Sequence, residues 1–466
     1  MPVDLLVTDA FVITMDPERR IFTDGAIAIT GHTIMAVGPV REVVPSVAPK
    51  RTIRARGAAV HPGFIECHNH TTLHTIRGAV SDTISWNDVS AEFYVPYWNT
   101  VTDDEEFAGS LHACLEMIKN GTTCFMESGT AFEPDVVARA AMSVGIRALV
   151  GDPFLWDIGG FSADAPAVTR APADTERSLR LLGGQLWRNA DPDALVRGHI
   201  AIVGMGSASD QLEIAAKAAA DRSGVVLNQH QSYAAIDTAS DDARLGRHPL
   251  RHLEEIGVLG PNAMFAHMNV LRDDEIESIL RSDMAISWNA PASMMWGVGG
   301  ATHGRHAELY RAGLTVGLGS DSSNWANSFD IGRAATLAIL AARDGRRDRS
   351  ILTAEDGLTM ATINGARAVG LADRLGSLEV GKRADLVIRS DDLPEAHPPT
   401  DRIAAILYST GSKSVDTVVI DGRVVLESGH PTLVEPVDVY RRVDAAAAAV
   451  LGRMGYRPPR RWPHLD

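Results

Sequence analysis

Hydrophobic and polar positions fall into two textures along this chain. Residues 4–56 carry short β-favouring runs at 4–7, 11–13, 25–29 and 33–37, separated by Asp, Gly and Pro. The far end repeats that texture at 384–388 and 414–420, where Asp421-Gly422 marks a hairpin-type turn before Val424-Val425. Taken together, the two ends predict one small β-sandwich. Between them, apolar runs at 59–67, 123–126, 146–150, 200–203, 225–227, 263–266, 284–287 and 314–318 alternate with helical periodicity, as at 103–119, 211–220, 273–280 and 302–312. Eight continuous apolar runs, each followed by a connection, predict a (β/α)8 barrel, whose strands are buried on both faces. The expected class is α/β: a TIM barrel over 59–370, with a β-sandwich built from 1–58 and 371–466 and a terminal helix at 439–451. A doubly wound open sheet is the rival pattern, but the first strand-to-helix turn lacks the glycine fingerprint that would support it.

Two stretches break the alternation. Residues 81–99 are rich in aromatics (Trp86, Phe93, Tyr94, Tyr97, Trp98) and contain Pro96, which predicts an irregular loop over the barrel mouth. It reads either as an apolar lid on a substrate pocket or as a loop packed on a neighbour. Residues 159–174 are small and Ala-rich and read as a surface loop.

Composition adds mainly exclusions. A length of 466 residues suits one large domain with a smaller companion, and a net charge of -15 argues against nucleic acid or an anionic membrane as partner. Three cysteines cannot build a disulfide framework, which points to a reducing compartment. The N-terminal segment carries acids where a signal peptide carries Lys or Arg, and no apolar stretch is long enough to span a bilayer. The expectation is a cytoplasmic protein that acts on a small molecule.

The candidate chemistry starts at 62–70, where His68 and His70 follow an apolar run in H-x-H spacing. On an extended strand, residues two apart face the same side, so both imidazoles can address one point. In a chain with sixteen histidines that pair alone is a weak signal. The stronger one is the ordered set that follows: His230 ends the run 225–229, His267 ends 263–266 and Asp321 ends 314–320. Catalytic groups of such barrels sit at the carboxyl ends of strands, which directs all five residues to one mouth.

Over nearly its whole length the chain resembles the amidohydrolase superfamily, in the deaminase and chlorohydrolase branch that includes triazine hydrolases. The likeness runs through Pro62-Gly63-Phe64-Ile65 with His68 and His70, Gly121-Thr122-Thr123, the segment 253–267, Gly317-Leu318-Gly319-Ser320-Asp321, the segment 361–366 and the segment 376–385. The resemblance implies one divalent cation held by His68, His70, His230 and Asp321, with Zn²⁺ first and Fe²⁺ or Co²⁺ as alternatives. It implies that His267 lies beside the bound water or substrate, and that Asp321 moves a proton from water to the leaving group. It also implies a homo-oligomer. No lysine stands at a strand-4 position that calls for a carboxylated bridge, which favours a single ion.

Three positions depart from the branch. Ring deaminases place a Glu three residues after the strand-5 histidine, and here Tyr233 stands there; a phenol shuttles protons poorly at neutral pH. His-x-Pro after strand 7 is replaced by Asn289-Ala290-Pro291, and Asn228 stands where relatives often carry His. These departures lead to the expectation of a urea, carbamate or thiocarbamate substrate such as a phenylurea-type compound, similar to the phenylurea and molinate hydrolases. Tyr233 joins Asp321 and His267 as a catalytic candidate. Trp86, Tyr94, Trp98, Asn289, Met294 and Trp296 are the expected substrate pocket, suited to an aryl or alkyl group. The alternatives are an aminohydrolase or chlorohydrolase acting on a nitrogen heterocycle (triazine, purine, pyrimidine or pterin), and a catalytically inactive scaffold, which the complete ligand set opposes.

Overall fold

A computed structural model describes residues 1–159, 167–460 and 462–463, apart from the side chains of Trp86 and Asn87. The chain opens with β1 (Pro2–Ile13), β2 (Ile21–Thr30), β3 (Thr33–Pro39), β4 (Ala48–Arg54) and β5 (Ala59–Pro62). The middle supplies β6 (Phe64–His70), β7 (Thr122–Glu127), β8 (Arg147–Val150), β9 (Val196–Gly198), β10 (Ile200–Gly204), β11 (Leu227–Gln231), β12 (Ala263–His267), β13 (Ala285–Trp288), β14 (Thr315–Leu318) and β15 (Asp321–Ser322). The end adds β16 (Leu386–Arg389), β17 (Val415–Ile420), β18 (Arg423–Glu427) and β19 (His430–Pro431).

The middle strands pair in parallel in two five-stranded sheets, ordered β15-β6-β7-β8-β9 and β10-β11-β12-β13-β14. Only His199 separates β9 from β10, and only Gly319 and Ser320 separate β14 from β15. These two interrupted strands join the sheets into the eight-stranded barrel. The second interruption has a packing cause. A Cβ on Gly319 would lie 2.7 Å from Ser287 Oγ, 2.8 Å from Asn289 Oδ1 and 3.0 Å from His68 Cβ. Only glycine passes there, and beyond it strand 8 resumes beside β6, with Asp321 opposite Asn69.

The remaining nine strands form one continuous sheet, ordered β19-β18-β17-β16-β5-β1-β2-β3, with β4 also paired to β1. The Ile34 N–H donates to the Lys382 carbonyl at 2.9 Å and the Gly381 N–H to the Ile34 carbonyl at 2.9 Å, so the β3 edge returns to the segment before β16. The expected sandwich is therefore one sheet folded over its own core of Leu5, Val7, Val12, Ile27, Ile29, Ile34, Leu386, Ile388 and Val419.

Four sequence expectations change. The apolar run 59–67 is divided: β5 lies inside the folded sheet and β6 starts the barrel. Gly63 is the pivot, because a Cβ there would stand 2.0 Å from Thr123 Oγ1. Residues Trp86–Val89, Ser90–Tyr94 and Val95–Trp98 are helical throughout, not an irregular loop. A widened turn, in which the Val95 N–H bonds the Ser90 carbonyl five residues back, makes room for the Pro96 ring. The stretch 302–312 splits into Gly300–His303 and His306–Arg311 around Gly304. Of the loop expected at 159–174, residues 160–166 lie outside the described residues, and its far flank packs inward: Val168 and Ala171 are buried, and Trp156 Nε1 donates to the Ala171 carbonyl at 2.6 Å. The terminal helix, Pro436–Met454, packs against the barrel helix Asp103–Lys119. No helix among the described residues is long and apolar enough to cross a membrane.

Candidate active site

His68 and His70 lie two apart on β6 and enter the barrel mouth together; His230 lies on β11, His267 ends β12 and Asp321 opens β15. All five are buried. His267 and Asp321 hold left-handed backbone, with φ of 75° and 70°, as residues fixed at functional sites often do. Nε2 of His70 stands 3.4 Å from Asp321 Oδ1 and 3.2 Å from His230 Nε2. Ligand atoms of His68, His70 and Asp321 lie within 4.8 Å of one another, and so do those of His68, His230 and His267.

Hydrogen bonds around the rim fix which ring nitrogen carries the proton. His230 Nδ1 is 2.8 Å from the Val203 carbonyl, which only accepts, so Nδ1 is protonated and Nε2 is a bare lone pair. The Ser128 hydroxyl donates to the Asn69 carbonyl at 2.7 Å, so at 3.0 Å it accepts from His68 Nδ1. The Thr130 hydroxyl donates to Glu127 at 3.3 Å and accepts from His70 Nδ1 at 2.6 Å. Burial pushes His68 and His70 well below the ordinary imidazole range and His230 down to about 4, which keeps all three rings neutral. Three lone pairs therefore converge, two of them 3.2 Å apart, and His68 Nε2 is buried with no hydrogen-bond partner. Such an arrangement is unfavourable unless a cation stands among them. Burial also pushes the Asp321 carboxyl up to about 7, and a cation beside it restores the carboxylate. Imidazole nitrogens with one carboxylate suit Zn²⁺, Fe²⁺ or Co²⁺, so these residues fit a divalent metal.

One further carboxylate braces the site. Glu66 accepts from the His68 N–H at 3.1 Å and from the Ser320 N–H at 3.0 and 3.2 Å, and it also takes the Ser320 hydroxyl. It thereby ties the strand that carries the two histidines to the break just before Asp321.

Above these residues opens a cleft into which His70, His230, His267 and Asp321 project. Tyr233, Tyr94 and Trp98 line it as expected. Tyr233 meets His267 edge-on at 4.7 Å, and Tyr94 lies parallel to Trp325 at 6.0 Å. Three other expected pocket residues are elsewhere. Asn289 is buried beneath the floor, where its Oδ1 accepts from Ser287 Oγ at 2.9 Å. Met294 is exposed, because the short helix Ala290–Met295 turns it outward. Trp296 packs on Trp325 at 4.1 Å, behind the wall instead of in it. The Trp86 side chain lies outside the described residues. The sequence reading missed Trp325, Leu73, Val203, Met205, Ser90 and Thr130 in the lining. Trp325 alone left a signal, as a large aromatic four residues past Asp321.

Comparison with known proteins agrees with this geometry. The chain is 31% identical over 448 residues to a 5-methylthioadenosine/S-adenosylhomocysteine deaminase of Syntrophobacter fumaroxidans, covering 96% of this chain and 98% of that one. It is 28% identical to a 5'-deoxyadenosine deaminase of Methanothermobacter thermautotrophicus, over 92% of this chain and 99% of that one. A zinc-bound adenosine deaminase from Xanthomonas campestris superposes with a TM-score of 0.89 at 25% identity, covering 97% and 99% of the two chains. A triazine hydrolase variant shares the fold, with a TM-score of 0.86 at 24% identity over 95% of this chain and 99% of that one. Residues 59–425 match the amidohydrolase family as a whole. The chain therefore belongs to the amidohydrolase family and is a metal-dependent hydrolase of carbon–nitrogen bonds.

Proposed function

We propose that the protein is an aminohydrolase that replaces an exocyclic amino group on a nitrogen heterocycle by oxygen from water and releases ammonia, with zinc as its resident cation. The observation that carries this reading is the end-to-end similarity, at 31% identity, to a deaminase whose named substrates both bear the amino group of adenine. The aromatic cleft supports it, since Tyr94 and Trp325 are flat surfaces for a flat ring. The expectation of a urea or carbamate gives way here. It rested on three departures, Tyr233, Asn289 and Asn228, and none of the relatives compared above carries that chemistry in its name.

A bound divalent cation supplies a water whose pKa falls from 15.7 to about 7. The protein's own groups do the rest. Asp321 Oδ1 is held by the Ser322 N–H at 2.6 Å, which leaves Oδ2 to take the water's proton and pass it to the departing amine. Oδ2 faces His267 Nδ1 at 3.9 Å, and His267 stabilises negative charge growing on the substrate. Burial raises the Tyr233 phenol well above its ordinary range, so it donates a hydrogen bond to a ring nitrogen without losing its proton. A second reading, hydrolysis of a urea or carbamate, is favoured by that same residue, because such a carbonyl needs no ring-protonating acid.

Zinc-loaded protein offered amino-purines, amino-pyrimidines, amino-triazines and pterins alongside aryl ureas and carbamates separates the two. Ammonia from a heterocycle supports the proposal. Release of an amine from the ureas, with no ammonia from any heterocycle, overturns it.

A further inference from the structure

The cleft wall is almost devoid of charge. Among the described residues lining it, Asp321 is the only carboxylate, and there is no Lys or Arg. The neighbouring arginines are committed elsewhere. Arg170 bonds the Val101 carbonyl at 2.6 Å and Asp103 at 2.5 Å, and Arg177 bonds the carbonyls of Phe154 at 3.0 Å and Pro153 at 3.2 Å. Outside the described residues and side chains, positions 86, 87, 160–166 and 464–466 contain no Lys or Arg in the sequence, and Arg461 is the one cation. Apart from His70, His230, His267 and Asp321, the lining is Leu73, Val203, Met205 and the rings of Tyr94, Trp98, Trp325 and Tyr233, with Ser90 and Thr130 as its small hydroxyl residues.

Desolvating an ammonium or carboxylate against such a wall costs several kcal/mol when no partner charge meets it. An alkyl, alkylthio or aryl group gains from the same surface. From this contrast we infer that the enzyme accepts uncharged substrates with an apolar substituent and rejects those bearing an ionised tail, including the amino-acid tail of S-adenosylhomocysteine. The inference rests on the aminohydrolase reading for the reacting group but concerns only the remote part of the substrate.

Two matched pairs test it on zinc-loaded protein, with dissociation constants measured by calorimetry and ammonia release followed separately. The first pair is 5-methylthioadenosine against S-adenosylhomocysteine. The second is a phenyl-substituted diaminotriazine against its carboxyphenyl analogue. In every pair whose neutral member binds, that member is expected to bind at least about 10²-fold more tightly than its charged partner. Met205→Arg should narrow the gap by improving the charged member. Equal or tighter binding of a charged member by the unaltered protein overturns the inference, as does failure to bind either neutral compound. Tight, selective binding of the neutral member without ammonia release leaves the inference standing and sinks the aminohydrolase reading. Ammonia release from S-adenosylhomocysteine at the rate seen with 5-methylthioadenosine does the reverse.

Discussion

Each metal-facing histidine is oriented by a partner on its far nitrogen. Ser128 and Thr130, both in the loop after β7, serve His68 and His70, while a backbone carbonyl serves His230. Outer partners of this kind raise ligand basicity and lock the tautomer, and losing one typically costs 10–100-fold in metal affinity. Thr130→Val should therefore raise the zinc dissociation constant by about 10-fold or more while leaving the melting temperature of the metal-free protein nearly unchanged. A competitive chelator titration measures the first and calorimetry the second. Tyr233 carries a different expectation. Tyr233→Glu places a carboxylic acid where a ring nitrogen can be protonated, so ammonia release from amino-heterocycles should rise by about 10-fold or more, and urea hydrolysis should not. No change in either activity would remove Tyr233 from the substrate's reach.

The histidines of strand 1 and the aspartate of strand 8 were legible in the sequence because strand alternation and strand ends fix where such side chains point. Ser128, Thr130 and Glu66 were not, since hydroxyls and lone acids in apolar runs carry no spacing signal of their own. Asn289 misled for the opposite reason. It occupies a position where the branch carries a functional residue, yet here it is used for packing below Gly319.

At the scale of elements, the break in strand 8 is the critical join. Glu66 clamps the Ser320 N–H to the His68 N–H, and Gly319 threads between Ser287, Asn289 and His68. Gly319→Ala would press a methyl group against Ser287 Oγ, Asn289 Oδ1 and His68 Cβ, with a cost of about 1–3 kcal/mol and a displaced His68. The expected readout is a melting temperature lower by several degrees together with weaker zinc retention. A variant that keeps both would show that the strand does not need this close passage. Glu66→Leu keeps similar volume but removes the acceptor of the His68 and Ser320 N–H groups, so zinc affinity should fall about 10-fold or more. Unchanged zinc retention would reduce Glu66 to a filler of the barrel interior.

Element boundaries show where pattern reading stops. Apolar runs located all eight barrel strands, since a strand buried on both faces is mostly apolar; β11 marks the limit, with Leu227 its one apolar residue. The run 59–67 concealed a change of sheet at Gly63, because hydrophobicity is the same on either side of it. Pro96 concealed a helix, because a widened turn relieved the clash that the proline ring imposes. Neither event alters the composition from which the prediction was made.

For the whole molecule, the nine-stranded sheet takes strands from both ends of the chain, with β5 between β16 and β1, and so brings the two ends of the barrel segment together. The arrangement explains why the segments 361–366 and 376–385 mark the family without facing the cleft: they carry the chain from the last barrel strand back to that sheet. It also leaves the chemistry to one end of the barrel, where residues from 68 to 321 meet. The measurement that tests this convergence most directly is zinc stoichiometry coupled to activity. Purified protein should hold one zinc per chain, lose ammonia-releasing activity on chelation and regain it with added zinc, while His68→Ala, still folded, should retain neither. A folded wild-type protein without stoichiometric metal, or one that works as well after chelation as before, would contradict the account.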